Sequence, residues 1–132
     1  MGTLIDTSIF IAIERGQLSF DEILTKADTE VALSVITASE LWHGVERANP
    51  PLRRAKRENF VNLVLELVPI VAIGLEIARV HARVNAQLAA LGTPVGTHDA
   101  WIAATALQRG DRVATRNVRE FERIEGLGVE LW

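Results

Sequence analysis

Apolar residues along this chain fall in short runs separated by longer amphipathic stretches, and the two alternate from one end to the other. "TLI", residues 3–5, is a short apolar strand running straight into "DTSIFIAIERG", whose apolar spacing and terminal Gly16 predict a helix. A polar turn at Gln17 to Ser19 leads to a second short helix, "FDEILTKA", and "EVALSVI" follows as a β-branched strand. "TASELWHGVERA" reads as the next helix. In it Thr37 and Glu40 have the spacing of a capping box, where the threonine oxygen accepts from an early helical amide and the glutamate reaches back to the cap. "PPLRRAKRENFVNLVLEL" opens a helix on prolines, and "VPIVAI" is a third strand. "LEIARVHARVNAQLAALG" is a long amphipathic helix stopped by Gly92, "TPVGT" is a loop, and another helix opens at Asp99 and ends near "QRGD". "RVAT" is the fourth strand and "GVELW" a fifth. Helices separating short, nearly continuous apolar strands imply an α/β fold with a parallel sheet covered on both faces.

The 132 residues, 48% of them hydrophobic, suffice for one domain, 1–132, with a substantial core. There is no internal repeat, low-complexity tract or interdomain linker. No apolar run reaches the length of a membrane span and the start of the chain lacks a signal peptide, so no membrane contact and a cytoplasmic location are expected. The absence of cysteine excludes disulfides and thiolate metal sites, in keeping with a reducing compartment. With a net charge of -3, any contact with nucleic acid must rest on local patches.

Three acids change the picture. In open α/β sheets ligands bind outside the carboxyl ends of the strands, and Asp6 and Glu40 emerge there. Asp99 taken alone is an ordinary acid in the first turn of a helix, but its helix opens in the same layer. Right-handed crossovers bring the three starts to one crevice. Converging carboxylates repel, so a cation is expected between them. Hard oxygen ligands, without cysteine or a paired-histidine zinc motif, favour Mg²⁺ or Mn²⁺. No GxxxxGK[ST] or GxGxxG loop supports a nucleotide or dinucleotide site. A phosphatase resembling the haloacid dehalogenases needs a second Asp two residues after the first, where this chain has Ser8.

Four segments taken together, "LIDTSIFIAIERG", "VITASELWHGVERA", "GTPVGTHDAWIAATALQRG" and "VATRNVREFERIEGLGVELW", resemble PIN-domain proteins. The similarity is in particular to the VapC-type ribonuclease toxins of VapBC toxin–antitoxin systems, from Met1 to Trp132. The resemblance implies a PIN-like three-layer α/β/α sandwich around a mostly parallel sheet of about five short strands. It places the family's acids on Asp6, Glu40 and Asp99. The fourth acidic position falls on Asn117, where this chain departs from the pattern, and Glu120 is the nearby alternative source of charge.

The implied activity is a metal-dependent endoribonuclease that hydrolyses phosphodiester bonds with Mg²⁺, or Mn²⁺ in its place. Asp6 is then the central ligand, Asp99 stands beside it, and Glu40 binds directly or through water. Thr7, Ser8 and Thr115 offer short hydroxyls to a carboxylate, water or phosphate, and Arg116 and Arg119 flank the site as phosphate contacts. The implied partners are a small antitoxin, an RNA such as tRNA, and a second copy in a homodimer. The alternatives are a non-catalytic PIN module acting by binding a partner or nucleic acid, and a related metal-dependent deoxyribonuclease. His43, His81 and His98 are given no chemistry. The basic run Arg53, Arg54, Lys56 and Arg57 is expected to be a solvated helix face, Trp42 and Trp101 to be largely buried, and Ala103, Ala104 and Ala106 to permit close helix packing.

Overall fold

Successive residues of strand β1 (Thr3–Ile5) point to opposite faces of the sheet, and Leu4 and Ile5 are both fully buried. Ile5 packs in a cluster with Ile9, Phe10, Leu33, Val61 and Val64, whereas Leu4 belongs to a second cluster with Val84, Ile102, Val113 and Phe121. A sheet with apolar residues on both faces must be covered on both, and this alternation generates three layers. Each fully buried Phe or Leu contributes about 1.5–3 kcal/mol. The computed structural model describes residues 2–27 and 29–132, so Met1 and Asp28 of the expected domain lie outside the described residues.

After β1 come helices α1 (Thr7–Glu14) and α2 (Phe20–Lys26), strand β2 (Val31–Ser34), helices α3 (Val35–Glu46) and α4 (Pro51–Leu67) and strand β3 (Ile70–Val71). The second half is α5 (Leu75–Leu91), α6 (Thr97–Arg109), β4 (Arg112–Thr115), α7 (Val118–Glu122) and β5 (Val129–Leu131). The strand order is β3-β2-β1-β4-β5 and every pairing is parallel, with Leu4 opposite Ala32 on one side and Val113 on the other. The expected α/β sandwich with a parallel central sheet is therefore what the chain forms. Because β2 and β4 lie on opposite sides of β1, the connections diverge there and leave a crevice beyond the carboxyl ends of β1 and β4. Gly92 and Gly110 stop α5 and α6 at φ +66 and +73, a left-handed conformation that only glycine adopts cheaply.

Several local expectations are corrected. The strand expected over "EVALSVI" ends at Ser34, because Ser34 leaves β2 in an extended conformation and its hydroxyl accepts from Ile36 N–H at 3.0 Å, capping α3 three residues early. Thr37 and Glu40 are therefore not a capping box: Thr37 is fully buried inside the helix and Glu40 lies in its second turn. The third strand shrinks from "VPIVAI" to Ile70–Val71 at the edge of the sheet, and α6 opens at Thr97, ahead of Asp99. The short helix α7 was not expected at all; it exists because Phe121 is drawn completely into the core. Among the described residues no helix is long and apolar enough to cross a membrane.

Candidate active site

Asp6 is the residue on which β1 becomes α1. Its backbone is extended (φ -73, ψ 153) and its carboxylate caps the helix. Oδ2 accepts from Ser8 N–H at 3.4 Å, Ser8 Oγ at 2.6 Å and Thr115 Oγ1 at 2.8 Å. Both hydroxyls are themselves oriented by the turn after β4, since Arg116 N–H donates to Ser8 Oγ (3.0 Å) and Asn117 N–H to Thr115 Oγ1 (2.9 Å). A carboxylate buried to 4% exposure needs such donors. They all converge on one oxygen, and Oδ1 receives no hydrogen bond among the described residues.

Glu40 reaches the same crevice from α3, which packs against α1. Thr7 Oγ1 donates to Glu40 Oε1 at 2.8 Å and lies 3.1 Å from Thr37 Oγ1. A hydroxyl has one proton, so with that proton on Glu40 the buried Thr37 serves as donor to Thr7. The other carboxylate oxygen, Oε2, lies 3.4 Å from His98 Nδ1. His98 thus joins the site although nothing in its spacing predicted it. The only available signal was its place in the first turn of α6, where side chains splay past the end of the helix.

Asp99 completes the set. Its pKa is raised to about 6, first by burial and then by the negative charges of Asp6, Glu40 and Glu120, with His98 pulling the other way. The folded chain consequently holds this proton more tightly than the unfolded chain. Stability from protonated Asp99 is complete below the ordinary value of 3.8 and is lost as pH rises through about 6. Asp99→Asn is therefore expected to raise the melting temperature of the metal-free chain at neutral pH and to flatten its pH dependence between those values. Thermal unfolding across that range is the check, and a lower neutral-pH melting temperature in the variant would contradict this electrostatic picture.

The remaining expected residues lie at the edge of the crevice. Asn117 is the exposed N-cap residue of α7 and its side chain makes no capping bond; the side chains of Arg116 and Arg119 are also exposed. Glu120 is half-buried, 3.9 Å from Arg123, which also donates to the Pro94 carbonyl at 2.9 Å and so ties α7 to the loop before α6. Elsewhere, Trp101 is half-buried with its ring stacked 3.5 Å from that of His81, and Ala103, Ala104 and Ala106 are fully buried. In the basic run of α4, Arg53 and Lys56 are exposed, while Arg54 pairs with Glu46 and Arg57 with Glu14.

Among the described residues no three His, Asp or Glu side chains stand close enough together to enclose a metal ion. Mg²⁺ does not need a cage, because it is commonly held by one or two carboxylates with water and substrate phosphate filling the remaining positions. Asp6 Oδ1 is available, Asp6 and Asp99 have no ion-pair partner among the described residues, and like charges around Asp99 oppose its ionisation. An all-oxygen, mutually repelling donor set of this kind fits a hard divalent cation.

Comparison with known proteins gives the family. Residues 3–127 match the PIN domain family. A Rickettsia felis protein named ribonuclease VapC1 is 40% identical over 98% of this chain and 95% of its own length. A Salmonella typhimurium protein named tRNA(fMet)-specific endonuclease VapC is 37% identical over 79% of this chain and 76% of its own. Among solved structures, DNA-bound VapBC from Salmonella typhimurium superposes with a TM-score of 0.89 at 30% identity, covering 100% of this chain and 98% of that one. With its parallel sheet and its acids gathered where the strand order diverges, this chain belongs to the PIN domain family, among the VapC proteins.

Proposed function

We propose that this chain is a metal-dependent endoribonuclease toxin of a type II toxin–antitoxin system, hydrolysing RNA phosphodiester bonds in the cytoplasm. The observation that carries the reading is the buried carboxylate of Asp6 at the carboxyl end of β1, one oxygen held by Ser8 and Thr115 and the other without a hydrogen bond among the described residues, with Glu40 held beside it by Thr7. Asp6, Asp99 and Glu40 would hold Mg²⁺ or Mn²⁺, with Glu120 rather than Asn117 supplying the fourth charge. Held there, a divalent ion would supply a lowered pKa to a water and neutralisation of charge on the leaving oxygen. Ser8 and Thr115 fix one oxygen of Asp6 and leave the other without a hydrogen bond among the described residues, and Thr7 holds Glu40 Oε1 while Oε2 lies beside His98. Arg116 and Arg119 provide guanidinium groups beside this edge for flanking phosphates.

Relatives named as tRNA(fMet)-specific endonucleases support tRNA as the substrate class. The likeness to VapBC complexes supports an antitoxin as the partner; in this reading the antitoxin is small and covers the crevice, and the working form is a homodimer. Purified chain is expected to cleave tRNA with Mg²⁺ or Mn²⁺ and to stop when EDTA is added. Expression without the antitoxin is expected to arrest growth. Soluble protein that cleaves no RNA with either metal would return the chain to a binding module, and cleavage confined to DNA would make it a deoxyribonuclease.

A further inference from the structure

A cleft between α1, α3 and α4 opens directly off the acid centre, for Thr7 and Glu40 line its inner end. Its cavity volume is about 140 Å³. Ile11, Leu41 and Phe60 give it apolar walls, and the outer rim carries Glu14, Arg15, Arg47 and Arg57. Two of these rim charges satisfy each other. Arg57 Nε donates to Glu14 at 3.0 Å and its Nη1 to the Gly44 carbonyl at 3.3 Å, which ties α4 to α1 and α3 and sets the width of the cleft. Arg15 and Arg47 are exposed and form no ion pair among the described residues. Each is the C-cap residue of its helix, where the helix dipole favours a cation, but that leaves their guanidinium donors without an anion.

We propose that this cleft is a substrate subsite, holding the single-stranded RNA nucleotide that adjoins the scissile phosphodiester. Its phosphate lies on Arg15 and Arg47, whose planar forks match phosphate oxygens, and its base lies against Ile11 and Phe60. The proposal rests on the endoribonuclease reading and extends it. Two features select RNA as the occupant: a strand cut at Asp6 and Glu40 must leave the acid centre in both directions, and this cleft is continuous with that centre and ends in two cations that form no ion pair among the described residues.

The test compares R15A/R47A with R79A/R83A. Both remove two exposed charges, but Arg79 and Arg83 lie on α5, which packs on the opposite face of the sheet. Binding of a short unstructured single-stranded RNA is followed by fluorescence anisotropy in EDTA, where no cleavage occurs, over a range of salt. R15A/R47A is expected to lose about tenfold in affinity and about 0.7 in the slope of log affinity against log salt, the value for one phosphate contact on a single strand. R79A/R83A is expected to match the wild type, and R15K/R47K to recover the slope. Equal behaviour of the two alanine pairs would overturn the subsite while leaving the nuclease reading intact. Unchanged RNA binding in R15A/R47A, with loss of binding to the antitoxin, would assign the cleft to a protein and overturn the proposal. Failure of the wild-type chain both to bind and to cleave RNA would remove the nuclease reading and this subsite together.

Discussion

Asp6→Asn is expected to abolish RNA cleavage, by about three orders of magnitude or more, equivalent to about 4 kcal/mol of transition-state stabilisation. The reason is geometric as well as electrostatic. Ser8 and Thr115 both donate into Oδ2, so an asparagine placed here keeps its carbonyl oxygen on those hydroxyls and turns its amide nitrogen to the position of Oδ1. A hydrogen-bond donor then faces the cation where a carboxylate oxygen would have bound it. The fold is expected to survive, because the hydroxyl contacts that cap α1 are retained. Removing the charge of Asp6 also removes one of the repulsions at Asp99, whose pKa should fall from about 6 towards the ordinary value. Calorimetric Mn²⁺ titration and cleavage of end-labelled tRNA measure the first effect, and NMR titration of Asp99 the second. Wild-type metal affinity in Asp6→Asn would overturn the assignment of the centre.

Glu120→Gln is expected to weaken metal binding by about tenfold to a hundredfold, with a matching rise in the metal concentration needed for cleavage. Asn117→Asp is expected to change it little. The resemblance puts the family's fourth acidic position at Asn117, but this side chain is exposed at the start of α7 and makes no capping bond. Glu120 is half-buried one turn further on, lies near Arg123, and its charge acts on Asp99. Like Asp6→Asn, Glu120→Gln should lower the pKa of Asp99, whereas Asn117→Asp should not. Tighter metal binding in Asn117→Asp, together with no effect of Glu120→Gln, would return the fourth position to residue 117.

Much of the fold was legible because its signals are local. Leu4 and Ile5 between polar neighbours, the prolines that open α4, and Gly92 and Gly110 after amphipathic runs act over a turn or less, and such signals persist whatever the rest of the chain does. The cap read from the sequence at Thr37 was displaced by packing. Ser34 and Thr37 are both good N-caps, and packing decided between them: Ser34 caps α3, while the Thr37 hydroxyl is buried against Thr7, thirty residues away. The two-residue β3 and the single turn of α7 fail for the related reason that neither is long enough to show a period.

By itself the sequence determined the alternation of strands and helices, the parallel sheet that follows from it, and the placing of Asp6 and Asp99 at the junctions facing one edge. All of these depend on chain-local propensity and on the handedness of crossovers. Glu40 was placed at the same edge from the sequence, and only the tertiary structure decided that it stands in the second turn of α3 and that His98 meets it there. The same packing directs the hydroxyls of Ser8 and Thr115 onto one oxygen of Asp6 and raises the pKa of Asp99, by burial first and then by the charges of Asp6, Glu40 and Glu120. Hydrogen bonds and fields among residues that can lie 109 positions apart depend on how the elements pack, and no spacing along the chain encodes that distance.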